Sequence, residues 1–266
     1  MKFPLRLSLD LFRSSVSRVF AASGVASTIF HLSPATFSST NQNEIDAESN
    51  PAAAVMEIPS SVLSQTTAPV LWVGSGAEDD EPLQHPVIGR IAAALNKAGR
   101  NVFLHTNGAR LRQRIHEFRP DPRLFLTIEL AGREAAHDRA VAQPGAFRRV
   151  IEGIRAAKLS GFHVCAHVTA NCDTDLCETG ELFEYLDNYD VDGYLVSSGG
   201  RAGEYAVDSA AHGKLQKQLD EIRSLVRCSR WEYFSSLLES SYAAAAERKT
   251  AVPLAGTEAA AFEERA

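Results

Sequence analysis

The sequence predicts an α/β protein built on a parallel sheet. Short apolar runs alternate with stretches whose apolar residues recur at helical spacing. The segments between successive runs are long enough for a helix, which implies right-handed crossovers and parallel strands. The chain has 266 residues, 45 % hydrophobic and 23 % charged. That is enough for one large α/β domain or two small ones. A doubly wound sheet and a partial or full barrel both satisfy the pattern. In either, ligands collect at the C-terminal ends of the strands.

The elements follow in order. Leu5, Leu7 and Leu9 alternate with Arg6 and Ser8, which reads as a strand over residues 4–9. Residues 33–68 are rich in Ser, Thr, Asn, Ala and Pro and read as a linker or flexible loop. Val70 to Val73 is a strand, and Val87, Ile88, Ile91, Ala92, Leu95 and Ala98 mark the helix after it. "NVFLH" (Asn101 to His105) is the next strand, followed by "TNG" and a helix carrying Leu111, Ile115 and Phe118. "LFLTIEL" (Leu124 to Leu130) precedes a helix from Pro144 to Leu159, with Gly161 suited to its end. "FHVCAHV" (Phe162 to Val168), a helix over Thr179 to Asp187, and "DGYLVSS" (Asp192 to Ser198) complete the alternation. Leu215, Leu219, Ile222 and Val226 stripe a further helix, and another near Trp231 to Glu247 leads into a polar tail. With the N-terminal strand this makes six strand–helix units. The expected divisions are 1–32, 33–68, 69–205 as the core, and 206–266 as C-terminal helices and tail.

Net charge is 27 minus 33, or −6, which argues against a general nucleic-acid binder. No apolar run is long enough to span a bilayer. Cys165, Cys172, Cys177 and Cys228 form no CxxC and no disulfide scaffold, so a reducing cytoplasm is the expected compartment. The opening "MKFPLRLSLDLFRSSVSRVFAASG" carries Lys2, Arg6, Arg13 and Arg18. Asp10 and Arg13 interrupt any secretory h-region, leaving an organelle presequence or a reduced first strand–helix unit.

Several polar groups fall just after the strands. Gly74-Ser75-Gly76 is a glycine turn of the kind that usually greets phosphate, yet Glu78, Asp79, Asp80 and Glu81 follow it. Such a loop suits a cation, or is a solvated acidic surface. His163, Cys165 and His167 alternate and share one side of their strand. Strand residues two apart lie about 6.6 Å from each other, so only His167 with Cys172 and Cys177 has realistic metal-binding geometry. Glu129 shares a face with Thr127, and a buried carboxylate there needs a ligand or an internal arginine. No GxSxG elbow, P-loop or full dinucleotide fingerprint is present.

The stretch "EPLQHPVIGRIAAALNKAGRNVFLHTNGARL" resembles the second and third units of radical S-adenosylmethionine enzymes, in which a "GGEPLLHP" turn opens a helix and a strand ends in "TNG". "AHDRAVAQPGAFRRVIEGIRAAKLSGF" and "DNYDVDGYLVSSGG" resemble the adenosyl-hopene transferase subgroup of hopanoid biosynthesis. The resemblance covers Pro69 to Arg201. It implies a partial (β/α)6 TIM-like barrel of radical S-adenosylmethionine type with a C-terminal helical extension. It also implies that an acidic glycine turn receives the cofactor's ammonium. Gly74, Ser75, Gly76, Glu81, Pro82, Asn107, Glu129 and Ser197 are the positions it points to, although Ala77 to Asp80 are inserted in the turn.

The family's CxxxCxxC, whose thiolates hold a [4Fe–4S] cluster, falls on Ser14, Arg18 and Ala21 when "FPLRLSLDLFRSSVSRVFA" is matched to the first unit. The expectation is therefore a pseudoenzyme or regulatory relative, with S-adenosylmethionine bound weakly, the cluster absent, and a small-molecule or protein partner left open. One alternative is an active enzyme whose cluster uses Cys165, Cys172 and Cys177. Another is a cluster-free α/β enzyme using Glu129 or His105 as acid or base.

Overall fold

The computed structural model describes residues 27–30, 70–74, 81–170 and 175–198. Within them lie β1 (Ser27–Phe30), β2 (Val70–Val73), α1 (Ile88–Lys97), β3 (Asn101–Thr106), α2 (Leu111–Arg114), β4 (Leu124–Glu129), α3 (Glu134–Ala140), α4 (Ala146–Leu159), β5 (His163–Ala170), α5 (Leu176–Asp187) and β6 (Gly193–Ser198). The six strands form one sheet in the order β1-β2-β3-β4-β5-β6, every neighbouring pair parallel.

That order separates the two architectures the sequence allowed. A doubly wound sheet departs from sequence order and has helices on both faces. Here one aliphatic layer joins the helices to alternate strand residues. Leu71, Val73, Val102, Leu104, Leu124, Leu126, Ile128, Val164, Ala166, Val168, Tyr194 and Val196 pack with Ile88, Ile91, Leu95, Phe147, Val150, Ile154, Leu182 and Leu186. Residues between those strand positions point the other way. A sheet in sequence order with its helices on one side is the arrangement of a TIM-like barrel.

The opposite face is layered by the register. Trp72, Phe103, Phe125 and His163 are partners along one row. Phe103 and Phe125 stack with ring centres 4.5 Å apart, and Phe125 and His163 at 5.2 Å. Offset aromatic rows of this kind fill a sheet's inner surface with rigid apolar area. The next row toward the C-terminal ends changes character: His105, Thr127 and Cys165 are partners, and above them Glu129 pairs with His167.

One expectation fails. Residues 4–9, which lie outside the described residues, were expected beside Val70. That place belongs to Ser27–Phe30, paired from Ser27↔Val70 to Phe30↔Val73, while β3 holds the other side of β2. "STIF" is too short and too weakly alternating to announce itself. The linker, the C-terminal helices and the tail also lie outside the described residues. No described helix is long and apolar enough to cross a membrane.

Candidate functional site at the C-terminal rim

Two turns meet where β2 and β3 end. Glu81 caps the 3-10 turn Pro82–Gln84, and its Oε1 accepts from Leu83 N at 3.0 Å. The Thr106 hydroxyl donates to the same oxygen at 2.5 Å, and Asn107 N donates to Oε2 at 2.7 Å. Glu81 is 5 % exposed. A buried carboxylate is stable only when its lone pairs are met this way. The partner turn is shaped for the task. Thr106 Oγ1 accepts from Gly108 N and Asn107 Oδ1 from Ala109 N, each at 3.0 Å. Gly108 has φ +74°, and a Cβ there would come within 2.9 Å of Ile128. Arg114 braces the first turn from outside, donating to Leu83 O at 2.6 Å, His85 O at 2.8 Å and Pro86 O at 3.1 Å.

The second cluster sits on the inner face of β3, β4 and β5. His167 Nδ1 and His105 Nε2 are 3.0 Å apart, both rings almost wholly buried. One nitrogen must donate and the other accept, so at least one ring is neutral. Burial holds His167 down to about 4 and His105 well below the usual imidazole range, with His167 adding to the effect at His105. Glu129 accepts from the Thr169 hydroxyl at 3.2 Å through Oε1, and its Oε2 lies 3.9 Å from His105 Nε2. That contact would be an ion pair only with a protonated imidazole, which burial disfavours. Desolvation accordingly raises the Glu129 carboxyl above its ordinary range, against a smaller lowering by Thr169. Beneath it, Thr127 is fully buried, and its hydroxyl has no hydrogen-bond partner among the described residues.

The structure thus brings Glu81 and Pro82 onto Asn107. Gly74 follows Val73, the partner of Leu104, and so ends β2 level with His105. Glu129 stands with His105 and His167, and Ser197 lies in register with Thr169. Cys165 is buried in mid-strand, while Cys177 is exposed at the start of α5, its backbone N–H bonded to Asp175 at 2.8 Å. Among the described residues no three His, Cys, Asp or Glu are placed to hold a metal ion. Ser14, Arg18, Ala21, Ser75, Gly76 and Cys172 lie outside the described residues. Sequence reasoning missed Thr106 and Arg114 as the braces of the Glu81 turn, and the His105–His167 pairing. The threonine was visible just before "NG"; the pairing depends on register between strands, the two histidines being 62 residues apart in sequence.

No family model matches the chain, and no curated protein matches it. Among solved structures it is similar to Streptococcus suis SuiB bound to the precursor peptide SuiA, at 11 % identity over 75 % of this chain and 46 % of that one, with a TM-score of 0.50. Archaeal TYW1 aligns at 14 % identity over 63 % and 57 % of the two chains, TM-score 0.43. SuiB bound to S-adenosylmethionine aligns at 12 % identity over 58 % and 34 %, TM-score 0.41. The chain spans roughly a third to just over half of the length of these proteins. At such identities the likeness to peptide-bound SuiB is one of fold, and it agrees with the barrel reading of the sheet.

Proposed function

We propose that this chain is a radical S-adenosylmethionine-type barrel that has lost its [4Fe–4S] cluster and keeps a weak site for an adenosyl ligand at the C-terminal rim. It would act as a binding or regulatory relative of the hopanoid-type enzymes. The observation that carries the reading is the Glu81 clasp. The "EPLQHP" and "TNG" segments, which resemble the family's turns, are held as one unit by a buried carboxylate. A fold shared with SuiB, a protein solved with S-adenosylmethionine and with a peptide, supports it.

The cluster does not fit the residues available. Ser14, Arg18 and Ala21 offer a hydroxyl, a guanidinium and a methyl group, none of which replaces an iron-bound thiolate. Placing the first strand at Ser27–Phe30 changes nothing, because residues 31–69 contain no cysteine. Without iron the ligand's amino-acid end loses its metal anchor. One carboxylate–ammonium contact is worth about 1–3 kcal/mol, against the roughly 8 kcal/mol of a micromolar site.

Anaerobic reconstitution with iron and sulfide, followed by iron counting, tests the loss. The expected result is no stoichiometric cluster; about four irons per chain, the content of one [4Fe–4S] cluster, would overturn it. Calorimetry with S-adenosylmethionine tests the ligand. Dissociation constants weaker than about 10 μM are expected, and no heat at millimolar ligand would sink the adenosyl reading.

A further inference from the structure

The outer, helical surface is divided by charge. The chain as a whole is acidic, at −6, yet residues 110–123, through α2 and the turn after it, carry Arg110, Arg112, Arg114, Arg119 and Arg123 against Glu117 and Asp121. Both acids are already engaged. Glu117 is held by Arg114, and Asp121 accepts from the backbone N–H of Arg123 at 2.8 Å. Arg110, Arg112 and Arg119 are exposed. Arg112 meets Glu152 of α4 at 3.2 Å; among the described residues no carboxylate pairs with Arg110 or Arg119.

The face of α5 is the reverse. Residues 175–198 contain no lysine or arginine. Glu181 and Glu184 are exposed one turn apart, and among the described residues neither carboxylate has a cation partner. Like charges a turn apart on one helix repel. Between the two faces lies α4. Leu111 of α2 packs on it where a Cβ added to Gly153 would come within 3.0 Å. On its other side Phe147 meets Tyr185 of α5, ring centres 5.8 Å apart. The outward stripe of α4 is Arg148, Glu152, Arg155 and Leu159, the last 86 % exposed.

We propose that this surface joins two copies of the chain about a two-fold axis running along α4, the basic α2 face of each copy lying on the acidic α5 face of the other. Closed dimers use the same patch on both subunits, so the patch must complement itself. Because α4 separates the two faces, an axis along it brings opposite charges together twice. An axis across it would set α2 on α2 and α5 on α5, like on like. Leu159 of each copy would meet its counterpart at the axis and leave water. Complementary charges choose partner and register more than they add affinity, and each exposed pair contributes little. The dimer is therefore weak and sensitive to salt. This inference does not depend on the adenosyl reading.

Sedimentation equilibrium of the full chain tests it. In low salt the wild-type chain should be largely dimeric at about 100 μM. In about 1 M salt, where screening acts within about 3 Å, the dissociation constant should rise about tenfold or more. Arg110→Glu with Arg119→Glu makes the α2 face acidic; Glu181→Arg with Glu184→Arg makes the α5 face basic. Each double variant should be monomeric alone. Mixed in equal amounts they should form a heterodimer, because every facing pair of patches is again of opposite sign. All four side chains are exposed, so thermal melts should stay close to wild type, and recovery on mixing shows that both variants fold. A wild type that is monomeric in low salt, a dimer that either double variant keeps, or a mixture of folded variants that stays monomeric would each overturn the proposal. Growth beyond the dimer would mean an open head-to-tail contact and overturn the two-fold.

Discussion

Glu81 and Glu129 are two carboxylates on the same rim, and the sequence presents them alike, each at the end of a strand unit. Their environments are opposites. Glu81 is a closed clasp: buried, met by two backbone N–H groups and a hydroxyl, and braced through its turn by Arg114. Glu129 is an open one: partly exposed, with one hydroxyl donor among the described residues and a buried imidazole pair behind it. A satisfied buried carboxylate organises backbone; one with few donors costs stability in its charged form. The carboxylate in the turn that the family resemblance marks for the cofactor's ammonium is the one that ties two turns together.

The largest expected effect falls on the closed clasp. Glu81→Ala removes the acceptor of three hydrogen bonds and leaves Leu83 N, Asn107 N and Thr106 Oγ1 without it. Removing one side of a buried charged network costs about 3–5 kcal/mol, so the urea midpoint should collapse. A loss under about 1 kcal/mol would show that Glu81 is not what ties the two turns together.

The open side should give way to acid. Both buried imidazoles have folded values below the usual 6.5, and His167 lies at about 4. A depressed folded value means the unfolded chain binds protons more readily. The stability these groups contribute is present above 6.5 and lost as pH falls toward about 4. At roughly 1.4 kcal/mol per pH unit, His167 alone accounts for about 3 kcal/mol over that interval. Denaturant melts across the range should show the slope, and His167→Gln should flatten it. An unchanged slope would mean that the pair is not buried as described.

Gly108 tests how tightly the clasp depends on its partner turn. Alanine there must adopt φ +74° and push against Ile128 and Val150, whose side chains lie 2.9 and 3.1 Å from the added Cβ. Overpacking of this kind costs about 1–3 kcal/mol. Since Gly108 shapes the turn that presents Asn107 N to Glu81, the double variant Gly108→Ala with Glu81→Gln should cost less than the two single losses added. Strict additivity would separate the turn from the clasp.

Much of the scaffold could be read from the chain. The apolar runs at 70–73, 101–106 and 124–129 are strands within a residue of where alternation and turn residues put them, because a parallel sheet buried on both faces needs continuous apolar runs. The first strand could not, since four residues of "STIF" carry no period long enough to count. Single-sequence reading also missed α3, whose "EAAHDRA" offers no apolar stripe; its helix is anchored by His137 Nδ1 accepting from Ala131 N and by Asp138 accepting from Phe147 N at 2.8 Å. At the site, residue types were legible and roles were not. Whether Glu129 meets an arginine or a neutral histidine depends on register and burial across three strands, and neither is written in the local pattern around "TIEL".

The smallest effect bears most directly on the comparison. Glu129 titrates with a raised folded value, so its contribution to stability is complete below the ordinary carboxylate range and lost as pH rises through the folded value. Glutamine does not titrate and keeps the shape. Glu129→Gln should therefore be more stable than wild type at pH 7, by less than about 1 kcal/mol because solvent screens a side chain that is 35 % exposed. The gain should shrink toward zero as pH falls below about 4, where the unfolded carboxyl is protonated too. Differential melts at matched pH read this directly. A residue that costs stability in its charged form is one whose charge the fold leaves poorly met, whereas the same substitution at Glu81 should lose stability at pH 7. If both substitutions destabilise at pH 7 and by similar amounts, the two carboxylates are equivalent braces and the rim has no open member.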